Sequence, residues 1–121
     1  MNLCENEESI QYFITIEKIF IEGEGPINKM GMSAVYFNKY IAVFGGRDEK
    51  SLISNLKSNE IYLLNIVKRI WEPICLYGFA PSPRWGHCMA YINNKIVVFG
   101  GVTGERFCSS SVYELETSKT N

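Results

Sequence analysis

Apolar residues in this chain come in short runs that are separated by glycine, asparagine and polar turns. Residues 32–37 and 40–44 are rich in β-branched, aromatic and small side chains, and Asn38-Lys39 separates the two runs. Asparagine tolerates the positive φ that two-residue hairpin turns require. The run 41–44 is apolar at every position, which is typical of a strand covered on both faces. The pattern therefore predicts a β-hairpin with buried strands rather than a helix.

The same pattern returns later in the chain. Residues 26–46 align without a gap on residues 81–101, at an offset of 55. The residues that both copies share are Pro26/Pro81, Gly31/Gly86, Tyr36/Tyr91, Asn38/Asn93, Ile41/Ile96, Val43/Val98, Phe44/Phe99, Gly45/Gly100 and Gly46/Gly101. Self-similarity at such a period indicates one supersecondary unit that is used at least twice, because a single unit cannot bury its apolar faces alone.

Each hairpin is followed by a polar loop and by further strands. Residues 59–64 and 110–115 are predicted third strands that align at an offset of 51, so the loop before them is four residues shorter in the second copy (55 − 51). A fourth strand is predicted over 70–75 in the first copy. Its Pro73 cannot donate to a ladder, which predicts an edge strand. Four antiparallel strands with an outer edge strand describe a propeller blade.

The order of these residues resembles the kelch motif. The second copy has Arg84-Trp85-Gly86-His87, an apolar strand, a Gly-Gly pair and then Tyr113, whereas the first has Lys29-Met30-Gly31-Met32 at the start of the motif. The resemblance implies an all-β fold, a partial kelch-type β-propeller of roughly two four-stranded antiparallel blades plus an extra N-terminal outer strand. The structural motif residues that it implies are Gly45, Gly46, Tyr62, Trp71, Arg84, Gly86, His87, Gly100, Gly101 and Tyr113.

The repeat also predicts how the chain is organised. The predicted segments are an acidic N-terminal tail (1–9) and a propeller segment (10–121), the latter with an outer strand (16–21), a blade (30–76) and an incomplete blade (84–121). A closed propeller has about four to eight blades, so we expect this chain to be part of a larger propeller. The alternative is self-association of several copies into a ring through the unpaired blades.

Composition narrows the classes of partner. The formal net charge is −1 and the pI is about 5.8, so the chain has no electrostatic footprint for nucleic acid. It has no apolar stretch near the roughly 20 residues that span a bilayer, and its acidic start resembles neither a signal peptide nor a presequence. We therefore expect a cytoplasmic protein with no membrane partner. Cys75 and Cys88 lie in apolar strands and are expected to act as small buried hydrophobes, whereas Cys108 lies in a polar loop.

Candidate chemistry is sparse. His87 is the one histidine, and the cysteines lack zinc spacing. Motifs for acyl transfer, nucleotide binding and zinc proteolysis are missing from the sequence. We interpret His87 as an inner-strand residue that is hydrogen-bonded by its backbone neighbours. The expectation is a chain that is not an enzyme, with no catalytic, cofactor-binding or metal-binding residue.

Recognition is expected on loops, because loops on a rigid scaffold usually carry it. The candidate partner-binding residues are Lys29, Arg47, Arg84, Trp85 and Arg106. For Arg84 the sequence leaves two interpretations, a structural role bonding backbone carbonyls between blades and direct contact with an acidic partner. The predicted function is a non-catalytic protein-interaction module with an unidentified protein partner. The alternative is a regulatory or targeting propeller segment of a larger enzyme, such as a kelch-containing phosphatase.

Overall fold

The regular structure of this chain is β-sheet. A computed structural model describes residues 10–26, 29–48, 61–74, 78, 80–103 and 108–117, and the fold is described here for those residues. The strands in chain order are β1 (Lys29–Met30), β2 (Ser33–Phe37), β3 (Tyr40–Phe44), β4 (Arg47–Asp48), β5 (Ile61–Asn65), β6 (Ile70–Glu72), β7 (Cys88–Ile92), β8 (Lys95–Phe99) and β9 (Val112–Glu116).

The first repeat forms a four-stranded antiparallel sheet in the order β2-β3-β5-β6, which we call blade 1. Phe37 pairs with Tyr40 across the predicted two-residue turn, and Asn38 in that turn has a φ of 53°. The last strand ends at Glu72, directly before Pro73. This strand is the edge strand of its sheet as predicted, but it is shorter than the predicted 70–75, because proline has no N–H for the ladder.

The second repeat forms a three-stranded antiparallel sheet in the order β7-β8-β9, which we call blade 2. Ile92 pairs with Lys95, and both turn residues, Asn93 and Asn94, have positive φ (52° and 63°). Two consecutive positive φ values are the requirement of the tightest hairpin turn, which asparagine meets at low cost. The two sheets agree with the all-β, partial-propeller fold that the repeat predicts.

The segment before blade 1 differs from the prediction. Residues 10–21 form no strand, and the one ladder contact nearby is an isolated parallel bridge between Glu22 and Ile70. The predicted outer strand over 16–21 is therefore not formed within the described chain. A strand requires a partner ladder, and no described strand lies beside 16–21. Its large apolar side chains are exposed, and Ile16 is 97% accessible.

The hydrophobic core lies between the two blades. Its buried members are Phe37, Ala42, Phe44, Ile61, Ile96 and Val98. The rings of Phe37 in blade 1 and Tyr91 in blade 2 stack with centroids 5.1 Å apart. Apolar strands were expected to be covered on both faces, yet Phe99 on β8 is 51% exposed. In the described structure a sheet covers β8 on one face only.

Candidate interaction surface

One edge of the two blades carries a pair of short ribbons that the strand pattern did not predict. In blade 1, β1 pairs with β4 so that Met30 lies opposite Arg47. In blade 2, an isolated bridge joins Trp85 and Val102. Adding 55 to Met30 and Arg47 gives Trp85 and Val102, so the two ribbons are equivalent parts of the repeat. This offset is the signal that could have revealed them. Each ribbon closes the edge where the inner strand begins and the second strand ends.

The two ribbons are joined by a cation–π contact. The Arg47 guanidinium lies 4.9 Å from the centre of the Trp85 ring, and both side chains are half-buried. The backbone of Trp85 is fixed because its N–H donates to the Val102 carbonyl (3.2 Å) and its carbonyl accepts from the Val102 N–H (2.8 Å). Met30 beside them is 44% exposed. We name Met30, Arg47, Trp85 and Val102 the ribbon surface.

Arg84 directly precedes Trp85 of the ribbon surface in the chain, but it is only 1% exposed. Its Nη1 donates to the Gly100 carbonyl (2.9 Å), and its Nε and Nη2 donate to the carbonyl and hydroxyl of Ser82 (both 3.1 Å). The guanidinium also lies 5.1 Å from the Tyr113 ring centre. These contacts favour the structural interpretation of Arg84, because its donors are used within the chain and its side chain has almost no surface to offer a partner.

The remaining candidate binding residues are only partly described. Lys29 belongs to β1, so its backbone lies on the same edge as the ribbon surface, but its side chain lies outside the described residues. Arg106 falls in 104–107, which also lies outside them. The structure thus brings together two of the five candidates, Arg47 and Trp85, and separates Arg84 from them by burial.

His87 sits at the junction between the blades. It is 6% exposed, its ring packs edge-on against Phe44 of blade 1 (centroids 5.2 Å apart), and neither ring nitrogen has a hydrogen-bond partner in the described structure. This differs from the expected backbone bonding. Burial lowers the pKa of His87, the nearby Phe44 backbone opposes the shift without reaching hydrogen-bond geometry, and the Arg84 charge adds to the lowering. The ring is therefore a neutral packing element.

The motif glycines make room for that histidine. Gly45 has a φ of +79°, and an added Cβ there would collide with the Arg84 carbonyl oxygen and the His87 ring. Gly101 has a φ of +95°, and its Cβ would meet the Trp85 carbonyl and His87 Cβ, each at 2.9 Å. The Gly46 N–H donates to the Arg84 carbonyl at 2.8 Å. Gly45 and Gly46 thus allow the backbones of the two blades to approach closely, whereas Gly101 allows a close approach within the second repeat.

The motif aromatics Tyr62 and Trp71 lie on the face of blade 1 opposite to the one that carries Phe44. Tyr62 and Trp71 pack edge to face with centroids 6.2 Å apart. The backbone that precedes blade 1 lies against the Trp71 indole, since a Cβ on Gly25 would overlap that ring. Gly23 and Gly25 therefore serve packing.

Reactive groups form no cluster in the described residues. No group of three histidine, cysteine or carboxylate side chains there is arranged to hold a metal ion. Cys88 was expected to be buried but is exposed, as is Cys108, and both are free thiols. Cys75 lies outside the described residues. No described helix is long and apolar enough to cross a membrane. The ribbon surface, in contrast, presents arginine, tryptophan and methionine, residue types that are enriched at protein interfaces.

Comparison with known proteins agrees with the fold. Residues 14–121 match the model of the KLHDC2/KLHL20/DRC7 Kelch-repeats domain. Tip elongation aberrant protein 1 of Schizosaccharomyces pombe is 32% identical over 79 residues, which are 65% of this chain and 7% of that protein. A probable serine/threonine-protein kinase of Dictyostelium discoideum is 31% identical over 120 residues, 90% of this chain and 9% of the kinase. Human Kelch domain-containing protein 10 is 32% identical over 95 residues, 78% of this chain and 21% of that protein.

The chain thus spans less than a quarter of the length of these curated relatives. The family match covers nearly all of the chain and both repeats. The blade topology, the Gly45-Gly46 pair at the junction and the buried Arg84 supply the structural counterpart of that match. This chain belongs to the kelch-repeat family.

Proposed function

We propose that this chain is a non-catalytic protein-interaction segment of a larger propeller and that its partner docks on the ribbon surface. The observation that carries the proposal is the Arg47 guanidinium held over the Trp85 ring at 4.9 Å, at the edge of two adjoining blades. Tryptophan and arginine are the residue types that most often dominate binding energy at protein interfaces. Stacking holds both in place before binding, which lowers the entropy lost on association.

The chemistry of the surface favours a partner segment that combines a carboxylate with an apolar side chain. Arginine presents a planar fork of donors that matches a carboxylate, while Met30 and Trp85 provide apolar contact area. Met30 is 44% exposed and can therefore contribute to that contact.

A comparative pull-down tests this proposal. The double variant Arg47→Ala/Trp85→Ala should lose specific proteins, quantified by mass spectrometry, that the unmodified chain captures from native lysate. Lys68→Ala is the matched control, because it removes one exposed positive charge from the turn at the opposite edge of blade 1. A capture profile that is the same for all three proteins, with all three equally folded by circular dichroism, would move the binding site away from the ribbon surface.

One observation keeps a second candidate function open. The Dictyostelium relative is named as a probable kinase and matches 90% of this chain over 9% of its own length. We propose as the alternative that the segment regulates or targets a larger enzyme. Sequencing the full-length transcript tests this, because an encoded kinase or phosphatase domain would favour it over an independent interaction module.

A further inference from the structure

The two blades are joined beside the ribbon surface by individual contacts rather than by a ladder. The Gly46 N–H donates to the Arg84 carbonyl at 2.8 Å, and the Gly86 N–H donates to the Gly31 carbonyl at 2.9 Å. The cation–π contact of the ribbon surface is a further link. Each sheet, in contrast, is held by continuous strand pairing. Opening this edge therefore disrupts fewer hydrogen bonds than unfolding either blade, and such a local opening costs less free energy.

The opposite end of the junction is held separately. Phe37 and Tyr91 stack there with ring centroids 5.1 Å apart, and Phe37 pairs with Tyr40 beside the hairpin turn. Phe44 pairs with Ser33 at the ribbon end of the same hairpin. The two ends are four residues apart along β2 (37 − 33), which is about 13 Å of strand. The blades can therefore separate at the ribbon surface while the ring stack near the turns keeps them joined.

His87 lies among the links at the ribbon end. It follows Gly86 directly in the chain, its ring packs against Phe44, and a Cβ on Gly45 would strike that ring. The residue is 6% exposed, and neither ring nitrogen has a partner in the described structure. A neutral imidazole has one donor and one acceptor, whereas an imidazolium is a cation with two donors. Protonation therefore adds a charge and a second unpaired donor to a buried site.

The described surroundings of the ring do not compensate such a charge. Phe44 and Gly45 contact the ring from blade 1 and Gly101 contacts His87 from blade 2, and none of these three has an ionisable side chain. Burial lowers the pKa of His87, the Phe44 backbone partly opposes this, and the positive charge of Arg84 adds to the lowering. A buried cation beside another cation gains free energy when it reaches water.

We propose that His87 makes the ribbon surface sensitive to pH, because protonation of its ring separates the blades at the ribbon end and parts Arg47 from Trp85. This inference rests on the proposed function, since the ribbon surface is where the partner is proposed to dock. Partner binding weakens when the edge opens, because the stacked pair is no longer held in place before binding.

The direction of the pH effect follows from the two environments of the ring. In the open edge the imidazole is in water and has an ordinary pKa of about 6.5. In the closed edge it binds a proton less readily. The closed edge is therefore fully favoured above about pH 6.5 and loses stability as the pH falls below that value.

Two substitutions remove the titrating group. His87→Gln keeps a hydrogen-bond donor and an acceptor at this position but takes up no proton in this pH range. His87→Met introduces the residue that stands at the equivalent position of the first copy, Met32. If His87→Gln does not melt cooperatively, His87→Met replaces it in both experiments below.

NMR of the full chain, with ¹⁵N-labelled tryptophan, tests the opening. The chain has two tryptophans, so Trp71→Phe assigns their indole N–H signals. Between about pH 8 and pH 5.5 the Trp85 signal should shift as the stack opens. The Trp71 signal is the internal control and should not change, because that ring packs against Tyr62 with centroids 6.2 Å apart, on the face of blade 1 opposite to Phe44. In His87→Gln both signals should be independent of pH.

Two results would overturn the opening of this edge. The first is a Trp85 signal with the same pH dependence in the unmodified chain and in His87→Gln. The second is an equal change at Trp71 and Trp85, which would show that the whole chain unfolds rather than one edge.

A pull-down from native lysate separates this inference from the proposed function. Proteins whose capture requires Arg47 and Trp85 should be lost from the unmodified chain at about pH 5.5 and retained by His87→Gln at the same pH. Equal capture by both proteins, together with a pH-dependent Trp85 signal, would overturn the control of binding and not the opening. If Arg47→Ala/Trp85→Ala captures the same proteins as the unmodified chain, the proposed function fails, and the NMR result still decides whether His87 opens the edge.

Discussion

Alanine at Gly45 and at Gly100 should have different costs, although the two glycines are equivalent in the repeat. Both have positive φ, +79° and +72°, so alanine at either carries backbone strain of about 1–2 kcal/mol. At Gly100 the nearest atom to an added Cβ is the Ser109 carbonyl at 3.4 Å, which is an ordinary contact. At Gly45 the Cβ collides with the Arg84 carbonyl and the His87 ring.

The additional cost at Gly45 follows from what must move. Overpacking a tight site costs about 1–3 kcal/mol. Displacing the Arg84 carbonyl also weakens its 2.8 Å hydrogen bond from the Gly46 N–H, which contributes about 1 kcal/mol. We therefore expect Gly45→Ala to destabilise by about 3–6 kcal/mol, a large part of the total stability of a typical domain.

Urea unfolding of the full chain, followed by tryptophan fluorescence, measures both variants under the same conditions. Gly100→Ala should retain a cooperative transition at a lower midpoint, whereas Gly45→Ala should lose most of its transition or unfold without denaturant. Equal midpoint shifts for the two variants would refute the reasoning, since they would show that backbone strain alone sets the cost and that the junction has room for a Cβ.

Three further predictions concern buried polar groups. Because burial lowers the pKa of His87, the unfolded chain binds a proton more readily than the folded chain, so stability should fall as the pH drops below about 6.5. In His87→Gln the urea midpoint should depend less on pH between pH 8 and pH 5.5. The same pH dependence of the midpoint in the variant and the unmodified chain would contradict this. Arg84→Met should lower the free energy of unfolding by about 2–4 kcal/mol in the same assay, because it leaves the Gly100 and Ser82 carbonyls without their charged donor. A decrease below about 0.5 kcal/mol would show that these hydrogen bonds do not stabilise the blade. Asn65 accepts from the N–H groups of Val67 and Lys68 and donates to Glu72 at 2.8 Å, so Asn65→Ala should cost about 1–3 kcal/mol. The lost hydrogen bond should also raise the lowered pKa of Glu72 toward its ordinary value, which NMR titration of that carboxyl measures.

The strands could be predicted because local chemistry sets them. Asn38, Asn93 and Asn94 take the positive φ that their turns require, and the strand beside Pro73 lies at the sheet edge. These are choices that each residue makes with its immediate neighbours, and they are visible in a single sequence. The offset of 55 then assigns both hairpins to one architecture.

Burial at the candidate site could not be predicted in the same way. Whether an arginine is a donor for a partner or for its own chain depends on residues far away, and Arg84 bonds a carbonyl 16 positions later. The stacking of Arg47 on Trp85 joins two repeats across 38 residues (85 − 47), and no pattern within either repeat shows it. The exposure of Cys88 could not be predicted for a related reason. Alternation along a strand shows which face a residue is on but not whether another sheet covers that face.

The contact between Gly45 and His87 has a consequence for how such repeats evolve. Gly45 belongs to one repeat and His87 to the next. Duplicating a single repeat therefore copies only one partner of each such contact and never both. Met32 occupies the position of His87 in the first copy. If the first repeat replaced the second, a methionine would stand where the histidine ring now packs against Gly45. Selection on these residues therefore acts on neighbouring pairs, and the order of the repeats along the chain becomes fixed once the pairs have diverged.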